Sequence, residues 1–278
     1  MTTTLTPAAK ESDDNDGNSS SKRSITLIGL GIMGRAVAKA YSNRGYTVHA
    51  WNRGEANRER TKSLQLPHVV VYSDLQEALQ NSSLVIMMVL ADGMLATAQS
   101  VITKSVTDTS VWKDKTLVQF TSHEPFAIHA QEDFMVNTLG ANLIGGAMMA
   151  VPTTVGTETG VFLVSSKEAA LVQQHMSALQ VLGTVVAFHG DTGLAALADI
   201  GLLQGLQFGL AGNELSCCVF ERYGVDQAFK DTYIELIPKT TVPIFRDLSQ
   251  EASDAIFRHN FQDQAGTYTA AGHLAVYE

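Results

Sequence analysis

Residues 24–53, SITLIGLGIMGRAVAKAYSNRGYTVHAWNR, decide how the rest of the chain is read. SITLIG is a short β-rich run. GLGIMG puts three glycines into a tight turn, and RAVAKAYSNRG keeps helical spacing up to a glycine stop at Gly45. YTVHAW is a second β-rich run, so strand, turn, helix and strand make a complete βαβ unit. Within it, Gly29-Leu30-Gly31-Ile32-Met33-Gly34 fits G-x-G-x-x-G directly after a strand and at the opening of a helix. In that setting the glycines permit a tight turn, close approach of a pyrophosphate, and close packing of helix on strand. Backbone N–H groups at the helix start then face the phosphates. The motif predicts a dinucleotide site; the plain alternative is a glycine-rich turn with no ligand.

The end of the second strand selects the dinucleotide. An Asp or Glu about 20 residues past the motif would accept hydrogen bonds from the adenosine ribose hydroxyls. Asn52 and Arg53 stand there instead. No acid repels a 2′-phosphate, and Arg53, helped by Arg58, supplies a planar cationic fork for one. NADPH is therefore the expected cofactor, the alternative being a solvated surface arginine.

Outward from this unit the alternation continues. VVVY (69–72), LVIMMVL (84–90) and TLVQF (116–120) read as strands. SDLQEALQNS (73–82), MLATAQSVI (94–102) and the segment from Phe126 to Leu139 read as helices. Apolar strands alternating with helices imply a parallel sheet covered on both faces. ANLIGGAMMA, GVFLVSS, EAALVQQHMSALQVLG and TVVAFHG carry the α/β pattern to residue 190. Beyond it, Asp191 or Thr192 can cap a helix, and LAALADIGLLQGLQFGLAGNELSCCVFERYG has no strand-like punctuation. The expected organisation is a disordered polar tail over 1–23, a nucleotide-binding domain over 24–190, and a long interdomain helix with a helical C-terminal domain over 191–278.

The composition narrows the function classes. A net charge of −9, with no long Lys/Arg cluster, argues against a nucleic-acid partner, because phosphate binding needs a concentrated basic surface. Cys217 and Cys218 are adjacent, where a disulfide is strained and metal ligation needs further ligands, so both are read as reduced packing residues and no metal is expected. The longest apolar run, LVIMMVL, falls far short of the roughly 20 residues that span a bilayer, and the N-terminus lacks a hydrophobic signal core. A cytoplasmic protein with no membrane partner is expected.

GLGIMG, AWNR, IGGAMMAVPTTVG (144–156) and GDTGLAALADIGLLQG (190–205) together resemble the β-hydroxyacid dehydrogenase superfamily. Within it the likeness is to NADPH-dependent imine reductases and fungal reductive aminases. The resemblance implies an α/β fold: an N-terminal Rossmann doubly wound sheet, a long interdomain helix and an all-helical C-terminal domain exchanged within a homodimer. It implies hydride delivery from NADPH to the C=N bond of a small, largely apolar imine, or of one formed from a carbonyl plus an amine. It also implies that the chain stops several helical turns before the usual C-terminus.

Asp199 interrupts ALADIGLLQG, otherwise apolar but for Gln204, at the position where hydroxyacid dehydrogenases of the superfamily carry a catalytic lysine. An aspartate there stabilises a cationic iminium, or donates a proton if an apolar site raises its pKa. The alternatives are a solvated helix stripe shared with Gln204 and Gln207, or an ion pair with an arginine. The resemblance sets Gln207 near a catalytic tyrosine of the reductive aminases. It assigns cofactor contacts to Gly29, Leu30, Gly31, Ile32, Met33, Gly34, Asn52, Arg53, Arg58, Leu90, Thr121 and Ser122. The loop Thr121-Ser122-His123-Glu124-Pro125 carries His123 and Glu124 where the family has small residues, and Tyr268 and His273 fall where it lines the partner's site. The competing readings are a 3-hydroxyacid dehydrogenase-like carbonyl reductase, which the missing lysine at 199 opposes, and an NADPH-binding subunit without turnover.

Overall fold

The structure, a computed structural model, describes residues 4–6, 23–89, 102–120, 124–222, 224, 226–228 and 231–232, with only the backbone for most of 204–220. In chain order the elements are β1 (Thr4–Thr6), β2 (Ser24–Ile28), α1 (Ile32–Asn43), β3 (Thr47–Trp51), α2 (Glu55–Lys62) and β4 (Val69–Tyr72). There follow α3 (Leu75–Leu79), β5 (Leu84–Met87), β6 (Thr116–Phe120), α4 (Pro125–Leu139) and β7 (Asn142–Met149). The last are β8 (Thr157–Ser166), α5 (Ala169–Leu179), β9 (Gly183–His189) and α6 (Leu194–Arg222).

The strands form one sheet in the order β1-β9-β8-β7-β6-β5-β2-β3-β4. From β4 to β7 every neighbouring pair is parallel, and the chain reverses direction across the sheet between β2 and β5. This is the strand order of a dinucleotide-binding doubly wound sheet, with the crevice at the carboxyl ends of β2 and β5. Alternate residues feed two cores. Ile25, Leu27, Ile86, Val118, Phe120 and Ile144 pack with Val37, Tyr41, Val172 and Leu179, so α1 and α5 cover one face. Ile28, Val85, Met87, Leu117 and Leu143 pack with Leu75, Leu79, Ile128, Met135 and Leu139, so α3 and α4 cover the other. A strand buried on both faces has no polar side to show, which is why these runs read as continuously apolar.

The expected all-parallel sheet needs two corrections. β8 runs antiparallel to β7, because residues 150–156 form a turn too short for the crossover that a parallel neighbour requires. Within the stretch read as a disordered tail, Thr4–Thr6 pairs antiparallel with Val185–Ala187 on β9 and edges the sheet. Three residues of alternating Thr and Leu satisfy the open edge of β9 without contributing a core.

The chain divides into two compact units, Met1–Leu202 and Leu203–Glu278, and Ala195 and Ala196, on the first turn of α6, are buried in the cores of the first unit. In the second unit the described residues are helical through Arg222, and beyond it only residues 224, 226–228 and 231–232 are described, so that Tyr268 and His273 lie outside the described residues. Among the described residues no helix is long and apolar enough to cross a membrane.

Candidate functional site

The turn from β2 to α1 lies at the crevice of the sheet, and its glycines are not equivalent. Gly29 has φ +101°, and a Cβ there would meet the Met88 carbonyl oxygen, at the end of β5, at 2.1 Å. A Cβ on Gly34 would sit 1.9 Å from the Gly29 carbonyl oxygen, so only glycine lets α1 close onto the turn. At Gly31, the N-cap of α1, a Cβ would meet no atom of the described residues within 4 Å. No contact among the described residues demands glycine at that position; open space for an approaching phosphate does. Among the described residues no side chain caps α1, which leaves its N-terminal dipole and amides facing the crevice. Ile32 is exposed, Met33 half-buried and Leu30 buried, so the motif packs on one side and opens on the other.

The end of β3 closes this turn. Gly29 N–H donates to the Trp51 carbonyl at 2.9 Å, and Leu30 N–H donates to Asn52 Oδ1 at 3.0 Å. Asn52 Nδ2 in turn donates to the Gly54 carbonyl at 3.1 Å. Arg58 Nη1 donates to the carbonyls of Asn52 at 2.7 Å and Arg53 at 3.1 Å. Arg58 thus clamps the backbone that presents Arg53, which is itself exposed beside the crevice. Arg35 fixes the opposite side, its Nη1 donating to the Leu30 carbonyl at 2.9 Å. These residues fit the NADPH reading: an open anion cradle, a cationic fork beside it, and no carboxylate at the end of β3.

Asp199 lies on α6 and is 1 % exposed, which removes the solvated-stripe alternative for this residue. It shares a helix face with Ala195 and Ala196, four and three residues earlier, both buried. The root of that helix is tied down by Thr192 and Asp191, the two expected caps, together with Glu132, Ser165, Lys167 and His129, which sequence reading did not single out. Thr192 Oγ1 donates to Glu132 Oε1 on α4 at 2.6 Å, and Glu132 Oε2 holds Lys167 Nζ at 2.7 Å. Ser165 Oγ donates to the Thr192 carbonyl at 2.6 Å and accepts from Ala195 N–H at 3.0 Å. Asp191 Oδ1 accepts from Gly193 N–H at 2.6 Å and pairs with His129 Nε2 at 2.7 Å. The His129 bond holds the Asp191 carboxyl below its ordinary range. Gly145 permits this docking, since a Cβ there would sit 2.1 Å from the Thr192 carbonyl oxygen. The signal available in sequence was the glycine pair inside IGGAMMA.

Thr192 stands over Gly145, and Ala195 packs with Ala147 and Leu163, so α6 sets out along β7 towards its carboxyl end. That is the edge of the sheet at which the β2–α1 turn opens. Leu90, Thr121, Ser122 and His123 lie outside the described residues, and Gln207 is described only as a helical backbone position. Glu124 is exposed at the N-cap of α4. Among the described residues no group of three or more His, Cys, Asp or Glu is placed to hold a metal ion.

Comparison with known proteins agrees with this geometry. The profile of the NAD binding domain of 6-phosphogluconate dehydrogenase matches residues 24–190. An NADPH-dependent reductive aminase of Aspergillus oryzae is 31% identical over 219 residues, 78% of this chain and 69% of the relative. An imine reductase of Myxococcus stipitatus, solved with NADP+, superposes with a TM-score of 0.74 at 25% identity, over 90% of this chain and 88% of that one. A reductive aminase of Aspergillus terreus, solved with NADPH4, cyclohexanone and allyl amine, shares the fold at a TM-score of 0.73 and 20% identity, over 91% and 88% of the two chains. With a dinucleotide cradle at the switch point, an aspartate buried on the helix that follows, and these relatives, the chain belongs to the imine reductase and reductive aminase group of the 6-phosphogluconate dehydrogenase-like oxidoreductases.

Proposed function

We propose that the protein uses NADPH to reduce the C=N bond of a small, largely apolar imine or iminium, preformed or condensed from a carbonyl and an amine. The observation that carries the reading is the burial of Asp199 on a helix that runs towards the cofactor edge. Bound NADPH supplies the hydride. Gly29 to Gly34 and the start of α1 hold the pyrophosphate, Asn52 braces the turn, and Arg53 takes the 2′-phosphate on a backbone set by Arg58. The hydride forms the new C–H bond as the C=N π pair moves onto nitrogen, which quenches an iminium charge or, for a neutral imine, takes up one proton. Asp199 is the group assigned to that nitrogen: as carboxylate it stabilises the cation, and as acid it supplies the proton. Gln207, two turns further along α6, is assigned a secondary polar contact. A lysine would suit carbonyl chemistry; Asp199 suits a cationic nitrogen.

The reading extends to a homodimer with exchanged helical domains, to cofactor contacts from Leu90, Thr121 and Ser122, and to a cytoplasmic setting in specialised metabolism. The dimer is supported by Leu197 and Leu202, which are 56% and 49% exposed on α6 and leave apolar surface to cover. Turnover of NADPH with a cyclic imine tests the activity. Asp199→Asn is expected to lower kcat by about two orders of magnitude, the scale of a general acid–base or charge-stabilising group. An unaltered kcat would remove Asp199 from the chemistry. Arg53→Ala is expected to raise KM for NADPH far more than KM for NADH, and equal effects would dismiss the phosphate contact.

A further inference from the structure

We infer that Glu132 is a positioning residue for Asp199, acting through Thr192; this rests on the catalytic reading of Asp199. Glu132 sits on α4, outside the nucleotide motif, yet its carboxylate joins three parts of the chain. One oxygen accepts the hydroxyl of Thr192 at 2.6 Å, and the other holds Lys167, on the turn between β8 and α5, at 2.7 Å. The glutamate side chain is only 12% exposed and Thr192 is fully buried, whereas Lys167 is 62% exposed. The buried arm of the bridge is therefore the one that fixes geometry, because a surface ion pair alone contributes little. Lys167 pairs with the inward-facing carboxylate, and that bond raises the lysine's own pKa.

Thr192 stands two residues before Leu194, where α6 begins, and both its hydroxyl and its carbonyl are held. Its hydroxyl goes to Glu132, and its carbonyl accepts from Ser165 Oγ, which also receives Ala195 N–H. Two rigid elements, α4 and β8, thus set the origin and the rotation of the helix. Asp199 follows Thr192 by seven residues, close to two helical turns, so a rotation at the root is carried to Asp199 without attenuation. The other attachment, His129 to Asp191, is about two-fifths exposed on both sides and contributes less to the rotation. Positioning is worth this much structure because a displaced catalytic group loses rate steeply.

Thr192→Val is close to isosteric and removes the hydroxyl, while Thr192→Ser retains it; Glu132→Ala and Glu132→Gln form the matching pair on the other side. Thr192→Val and Glu132→Ala are expected to lower kcat for a cyclic imine about tenfold, the scale of a small misplacement. The NADPH dissociation constant, read by fluorescence titration, is expected to stay unchanged. Amide hydrogen exchange over 193–199 is expected to quicken in the same two variants. Thr192→Ser and Glu132→Gln are expected to restore both rate and protection. Unchanged exchange in Thr192→Val overturns the inference, as does faster exchange with an unaltered kcat. A wild-type protein inactive on every imine would dismiss the proposed function by itself. The exchange comparison would then still decide whether Glu132 sets the Asp199 helix.

Discussion

Leu30 and Asn52 are joined across the nucleotide crevice, the Leu30 N–H donating to Asn52 Oδ1 at 3.0 Å. One side chain at the end of β3 therefore braces the glycine turn at the end of β2, and it stands where many dinucleotide sites carry an acid. Asn52→Asp keeps the acceptor and adds a negative charge beside Arg53. The expected result is a KM for NADPH raised roughly tenfold, with KM for NADH unchanged or lowered, since like-charge repulsion acts only on the 2′-phosphate. Steady-state kinetics with the two cofactors decides it; parallel rises would mean that the turn, not the charge, had been disturbed.

Gly31 and Gly34 should separate binding from folding. An alanine methyl at Gly31 meets no atom of the described residues within 4 Å, so Gly31→Ala is expected to keep its Tm and lose NADPH affinity. At Gly34 the methyl would press to 1.9 Å from a backbone oxygen. Gly34→Ala is therefore expected to lose about 1–3 kcal/mol of stability, the scale of overpacking. Thermal melts with and without NADPH give both readouts, and a Gly31→Ala protein that binds as tightly as wild type would contradict the cradle.

His175 should contribute to acid sensitivity. Its Nε2 meets Thr116 Oγ1 at 3.0 Å in the interior, and burial lowers the imidazole below its ordinary 6.5. The folded protein keeps the ring neutral while the unfolded chain takes up a proton below that pH, so stability is highest above it and falls with acidification. His49, beside Tyr72, is lowered by burial in the same sense. His175→Gln retains a group at the Nε2 position and does not titrate. Its Tm is expected to fall less steeply than that of wild type between about pH 6.5 and 5. Identical slopes would assign the acid sensitivity elsewhere.

The parts of this architecture that were legible in sequence are those written locally. The unit from Ser24 to Arg53 combines period, turn chemistry and spacing, and the strands from Val69 to Phe120 announce themselves as apolar runs. Strand direction is not local. The antiparallel entry of β8 is encoded only in the short connection after Met149, and the pairing of Thr4–Thr6 depends on an edge left open by β9, some 180 residues away. The burial of Asp199 was illegible for a different reason. In a helix apolar on nearly every side, no polar stripe shows which face turns inward, so the rotation is set by Glu132, Ser165 and Gly145, each distant in sequence. Arg58 is legible as a cationic helper of Arg53, whereas its engagement with two carbonyls follows from the curl of the turn.

The anchoring of α6 at Thr192 bears on which lengths of chain this protein tolerates. A residue inserted between Thr192 and Asp199 would turn the carboxylate by about 100° around the helix axis, off the face it shares with Ala195 and Ala196. Insertions and deletions are therefore expected to be excluded from the seven-residue step from Thr192 to Asp199, which holds its count.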